Sequence, residues 1–335
     1  MSDRRSRASK PFVTFAVSSA VALLAFTSPA LAIDKFAAEF LKIGIGARAL
    51  GMGGAFVSLA DDASGAYWNP AGLVQLEHRE AMLMGASQFG GVVDHEVGSF
   101  VAPLKTASSR AALGITFIRV GVDDINVTKD AKVGEDANGN PIIDPNRVEQ
   151  KSAYDLALFL TYARAWGDRW SGGVNVKLVR QSLVDEGASF GVGADLGFHF
   201  QASPTLALGL RLADITTTQL FWDTGRRETV GPSATIGAHT SHNIDALDGR
   251  LIIGFDSRFS FEGLEEQFHS GNVSGIVLPG AEYWFRNLVA IRAGSDAGNF
   301  TAGAGVRYKQ FGADYAYLAH DELDSTHRVS ALFRF

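Results

Sequence analysis

From about residue 80 onward the apolar residues recur at every second position, in stretches separated by Gly, Asp, Asn and Pro. Period two is the signature of a strand with two unlike faces. Phe300, Ala302, Ala304, Val306 and Tyr308 share one face, and Thr301, Gly303, Gly305, Arg307 and Lys309 share the other. The final segment repeats this, with Val329, Ala331, Phe333 and Phe335 opposed to Arg328, Ser330 and Arg334. Leu251, Ile253 and Phe255 face away from Asp256 and Arg258, as Val174, Val176 and Leu178 face away from Asn175 and Lys177. Charged residues therefore stand mid-strand on the second face.

Periodicity and turn residues predict strands over 81–89, 96–104, 110–120, 154–166, 170–183, 189–200 and 206–213. Seven more follow over 233–242, 250–259, 274–285, 288–294, 300–308, 311–319 and 326–335, giving the even number that bacterial outer-membrane barrels have. Many reach the roughly 9–11 residues that cross a membrane at a tilt. Tight connections at 167–168, 203–205, 286–287 and 309–310 alternate with long ones at 122–151, 215–232 and 260–272. A closed barrel with short periplasmic turns and longer outer loops shows this alternation. Aromatics bracket the tight turns, with Trp166 and Trp170 at one, Tyr283, Trp284 and Phe285 before another, and Tyr308 and Phe311 at a third. They are expected to form an interfacial belt. The predicted fold class is all-β, a transmembrane antiparallel barrel of about 14 strands.

The first 32 residues read as a signal peptide. Arg4, Arg5, Arg7 and Lys10 form a basic start, 12–26 is an apolar stretch, and Ala30-Leu31-Ala32 is a cleavage site. The apolar stretch falls short of the ~20 residues of a membrane anchor. The chain carries 30 basic and 36 acidic residues, a net charge of −6, which leaves nucleic acid without an electrostatic partner. It contains no Cys, which excludes a disulfide scaffold and a thiolate metal site.

Residues 33–79 differ from the barrel that follows over 80–335. The run 42–57 is dense in Gly and Ala, as a segment folded inside a lumen requires for close backbone approach. Asp61 or Asp62 is placed to cap a short helix over 63–67, and Asn69 before Pro70 fits a cap with Pro at the first helical position. A phosphate-binding loop is excluded: no third Gly follows Gly44-Ile45-Gly46 at the dinucleotide spacing, and no Gly-Lys-Ser/Thr follows Gly51-Met52-Gly53-Gly54.

The block Gly46-Ala47-Arg48-Ala49-Leu50-Gly51-Met52-Gly53-Gly54-Ala55-Phe56, with Asp61-Asp62-Ala63-Ser64 and Trp68-Asn69-Pro70-Ala71-Gly72-Leu73, resembles the start of the PorV/PorQ family within the FadL-like outer-membrane barrels. Gly280-Ala281-Glu282-Tyr283-Trp284, Gly303-Ala304-Gly305-Val306-Arg307-Tyr308 and Asp314-Tyr315-Ala316-Tyr317 are similar to that family's closing strands. The resemblance implies a fourteen-stranded barrel plugged by its N-terminal residues. It further implies one of two roles without bond chemistry: passage of hydrophobic molecules, or receipt of secreted proteins as in type IX secretion.

The expected partners are outer-membrane lipids, a hydrophobic small molecule or secreted protein, and barrel-assembly machinery that reads the strand ending in Phe335. No enzyme activity and no cofactor are expected. Ser325 and His327 beside His320 and Asp321 hold the ingredients of a triad, but neighbours along one loop seldom orient one another, so a solvated loop is expected. The loop 135–144 is rich in oxygen ligands, but Arg147 stands where an EF-hand needs its Glu, so a polar turn is expected over a calcium site. Arg48, Asp61, Asp62, Asn69 and Pro70 are the plug and gate candidates. Lys177, Arg258, Arg292 and Arg307, facing Asp256 and Asp61 or Asp62, are expected either to form a lumen network, with Arg48 and the acidic pair as a latch, or to supply ordinary lumen polarity. Phe221 and Trp222 in the long loop 215–232 are an aromatic pair placed either to stand exposed and contact a ligand or a partner chain, or to pack over the barrel mouth.

Overall fold

A computed structural model describes residues 37–106, 109–185, 187–263, 266–319 and 325–335. Residues 1–32, expected from the sequence to be a signal peptide, lie outside the described residues. Fourteen strands form a closed antiparallel barrel. They are β1 (Glu80–Gln88), β2 (Val93–Thr106), β3 (Ser109–Val127), β4 (Glu149–Trp166), β5 (Trp170–Leu183), β6 (Gly187–Gln201) and β7 (Leu206–Ala213). The remaining seven are β8 (Ser233–Ile244), β9 (Gly249–Ser260), β10 (Val273–Phe285), β11 (Val289–Asp296), β12 (Asn299–Tyr308), β13 (Phe311–Leu318) and β14 (Thr326–Arg334). Each pairs with its sequence neighbours, and β14 closes on β1 with Glu80 opposite Arg334. The Phe335 amide donates to the Arg79 carbonyl at 2.9 Å, sealing the seam.

The long connections carry short strands of their own. Thr218–Trp222 and Arg227–Val230 form a hairpin that extends the outer end of β6, and Phe268–Ser270 pairs with the start of β10. Lys132–Glu135 and Pro141–Ile143 make a separate ribbon. All three excursions leave the same rim, opposite the tight turns.

Burial is inverted relative to a water-soluble sandwich. Large apolar side chains point outward, with Leu83 68% exposed and Ile253 49% exposed, while Lys177, Glu282, Asp195 and Arg292 point inward and are buried. Only an apolar solvent makes that arrangement favourable, because each outward Leu or Ile would otherwise forfeit about 1.5–3 kcal/mol of burial. Trp166, Trp170, Tyr308 and Phe311 stand outward at the tight-turn rim, as a belt requires. Trp284 does not: it is buried inside, beneath the guanidinium groups of Arg292 and Arg307. Its even number in β10 puts it on the lumen face with Glu282.

The lumen is the core. Residues 37–79 fill it with two 3₁₀ turns, Glu39–Lys42 and Pro70–Gln75, and two short helices, α1 (Ala47–Gly51) and α2 (Gly65–Trp68). Phe56, Tyr67 and Trp68 pack edge to face, and Tyr67 meets Phe159 of the wall at 6.3 Å. Glycines in the wall let the plug backbone come close. A Cβ at Gly173 would lie 2.5 Å from the Pro70 carbonyl carbon, and one at Gly209 or Gly280 would collide with the carbonyl of Val57 or Met52.

Candidate functional site

The plug is fastened to the wall by a chain of buried ion pairs that begins at Arg48. Its Nε and Nη2 donate to the two carboxylate oxygens of Glu282 on β10 at 2.9 and 2.8 Å. Its Nη1 donates to Asp61 at 2.6 Å and to Asp62 at 3.2 Å, so one guanidinium ties the two halves of the plug to the barrel. The planar fork of Arg suits this bidentate grip, and an ammonium would not reproduce it. Burial opposes the charge on Arg48, but Asp61, Glu282 and Asp62 outweigh that effect and raise its pKa further.

The chain continues through the wall. Arg292 Nε donates to Glu282 at 2.6 Å, Arg292 Nη1 lies 2.9 Å from Asp314, and Arg307 grips Asp314 at 2.7 and 3.0 Å. Four strands thus share one network, with Glu282 on β10, Arg292 on β11, Arg307 on β12 and Asp314 on β13. Glu80 fastens the far side of the plug, accepting from the Ala63 amide at 2.8 Å and from Arg334 at 2.8 Å.

Asp256 holds the plug in a different way. Gly53 and Gly54 adopt φ of 64° and 78°, a conformation that favours glycine. Just beyond this turn the amides of Phe56 and Val57 both donate to Asp256 Oδ2, at 2.8 and 2.7 Å. Asp256 therefore pairs with backbone, and the expected ion pairing with Arg258 is corrected. Arg258 stands two residues further along β9, about 7 Å nearer the outer rim, where it lines a pocket.

Lys177 is also in a separate cluster from Asp61 and Asp62. It pairs with Asp195 at 2.8 Å and Asp214 at 2.6 Å, and Asp195 lies 3.5 Å from Arg211. Arg211 in turn covers the Tyr67 ring at 4.9 Å. The single network expected from sequence is thus divided. Arg292 and Arg307 reach Arg48 through Glu282, whereas Lys177 and Arg258 do not contact the acidic pair.

Asn69 caps the turn Pro70–Gln75 by accepting from the Ala71 amide at 3.1 Å. Its Nδ2 donates to Val57 and to Phe198 of the wall at 2.7 and 3.0 Å, and Pro70 sits over Gly173 and Gly197. Helix α2 begins at Gly65 with Ser64 as its cap residue, and Asp62 serves instead as acceptor for the Ser64 amide at 2.9 Å.

A pocket of about 60 Å³ opens at the outer end between Tyr67, Phe159, Arg211, Arg258 and Glu262. Another, of about 240 Å³, lies at the tight-turn end beneath Val74, Gln75 and His199. The plug separates them.

Phe221 and Trp222 do not form an exposed pair. They alternate across the hairpin strand, so Phe221 is 47% exposed beneath the Arg227 guanidinium, while Trp222 is buried. In the loop 135–144 the Asp136 carboxylate accepts amides from Asn138 and Asn140 at 2.8 Å each, forming a polar turn. Among the described residues no cluster of His, Asp and Glu is arranged to hold a metal ion. Residues 320–324 lie outside the described residues, and His327 shares a hydrogen bond with the Tyr315 hydroxyl at 2.7 Å.

Sequence reasoning missed Glu282, Asp314, Glu80, Asp195 and Arg211. Each had a signal in its position, since all stand on the lumen parity of their strands. Parity gives the face, but the partner depends on the strand register and on where the plug lies.

No family model matches the chain, and no curated protein matches it. Its fold is that of solved outer-membrane channels. The Pseudomonas aeruginosa FadL homologue superposes with a TM-score of 0.56 at 13% identity, over 87% of this chain and 98% of that one. The P. putida toluene transporter TodX gives 0.53 at 12%, over 87% and 99%. The monoaromatic hydrocarbon channel CymD gives 0.53 at 13%, over 88% and 98%.

Proposed function

We propose that the protein is an outer-membrane channel for hydrophobic or amphipathic small molecules, closed by its N-terminal plug and opened when the plug shifts. The observation that carries this reading is the Arg48 latch. A lumen filled only for stability would be filled with apolar side chains, since replacing buried ion pairs by well-packed hydrophobes is often neutral or stabilising. Here the joint between plug and wall also carries buried charges, with Glu282 shared between Arg48 and Arg292. The similarity in fold to channels for toluene and other monoaromatic hydrocarbons supports the class of cargo. The Gly/Ala-rich block and the Asn69-Pro70 turn support a place within the PorV/PorQ type of that barrel class. The outward Phe333 and Phe335 edge beside Phe100 is the surface offered to assembly machinery.

The test is uptake of a radiolabelled monoaromatic hydrocarbon by cells with and without the barrel. Uptake that depends on the barrel supports the channel. Uptake indifferent to it, with a stoichiometric exported protein on the purified barrel, overturns the reading in favour of a secretion role.

A further inference from the structure

The outer wall carries a feature that transport through the lumen does not use. On β4, β5 and β6, near the tight turn at Gly167, a depression of about 430 Å³ opens toward the membrane between Tyr162, Trp166, Val174, Leu196 and Phe198. At its end nearest the turn stands Gly172, which the register places directly opposite both Arg164 and Phe198. The Trp166 indole lies across this glycine, so that a Cβ there would be 2.5 Å from the ring.

Arg164 is the anomaly. It stands on the outward face, exposed, and makes no ion pair with any described residue. A guanidinium on the lipid-facing side of a barrel is unfavourable, most at the midplane and less toward the interface. At two residues from Trp166 its long side chain can carry the charge to the headgroup level while its stem stays in the dent. Arg110 and Arg169 line a second pocket near the same turn, together with Asp168. An apolar slot ending at an unpaired guanidinium matches an acyl chain ending in an oxyanion, and a bilayer supplies that group as a phosphodiester, which Arg binds bidentately.

We propose that this depression holds one phospholipid of the inner leaflet, with its phosphodiester on Arg164 and an acyl chain over Val174 and Leu196 beside Tyr162. The leaflet follows from the tight turns facing the periplasm, as they do in outer-membrane barrels. The site goes beyond the channel reading, and its failure would leave the uptake test untouched.

The experiment is native mass spectrometry of the full barrel in detergent, offered phosphatidylglycerol or, in parallel, diacylglycerol with the same acyl chains. The expected result is one phosphatidylglycerol retained per barrel and no diacylglycerol. Arg164→Gln should lower retention about tenfold, as loss of a charged bidentate contact would, while Arg169→Gln should not. Leu196→Trp should fill the depression and also abolish retention. If that variant fails to show the heat-modifiable mobility of a folded barrel, Arg164→Gln decides alone. Equal retention of diacylglycerol, or undiminished retention by Arg164→Gln, overturns the site.

Discussion

Removing Arg48 should open the channel. Arg48→Ala deletes the bidentate grip on Glu282 and both contacts to Asp61 and Asp62. Breaking a buried pair by removing one partner typically costs about 3–5 kcal/mol, because the remaining charge is stranded. The lower figure applies here, since Glu282 retains Arg292 and Asp61 is partly exposed. About 3 kcal/mol corresponds to a shift of about a hundredfold in the balance between seated and displaced plug. Reconstituted in planar bilayers, Arg48→Ala should show an open probability raised by about that factor, with the barrel's heat-modifiable mobility unchanged. Arg48→Lys, which keeps the charge but loses the fork, should fall between it and the wild type. The effect should change little with added salt, since buried charges are weakly screened. An open probability within threefold of the wild type for Arg48→Ala would refute the latch.

Gly209→Val should press a side chain into the Val57 carbonyl and destabilise plug seating by about 1–3 kcal/mol, read as faster protease cleavage within residues 37–79. Asp256→Leu should strand the Phe56 and Val57 amides, at about 1–3 kcal/mol for each unsatisfied donor, and hydrogen exchange at those amides should accelerate. Leu160→Arg places a charge on the outward face six residues, roughly 20 Å along the strand, from the Trp166 belt. It should cost about 2–4 kcal/mol in a denaturant titration in lipid, whereas a soluble barrel would show almost no loss. Phe221→Ala should leave exchange in its hairpin unchanged, while Trp222→Ala should loosen it, because only the second side chain is buried.

The sequence alone determined the strands and their faces. Period two requires only local backbone geometry, so the fourteen segments, their turns and the inward parity of Lys177, Asp256, Arg292 and Arg307 were legible along the chain. Turn lengths gave the two rims for the same reason. Asn69 with Pro70 was readable as a cap because a cap is completed within two residues. What tertiary structure alone decided was which charges meet. Arg48 and Glu282 are 234 residues apart, and their contact needs both barrel closure and the seating of a plug whose glycines admit it only at one depth. Trp284 read as a belt aromatic because rim position is visible in sequence, yet lumen parity and two guanidinium groups draw it inside. Trp222 read as exposed because loops usually are, until its hairpin joined β6 and turned alternate residues inward. Local periodicity fixes where a side chain points, and only the closed barrel fixes what it finds there.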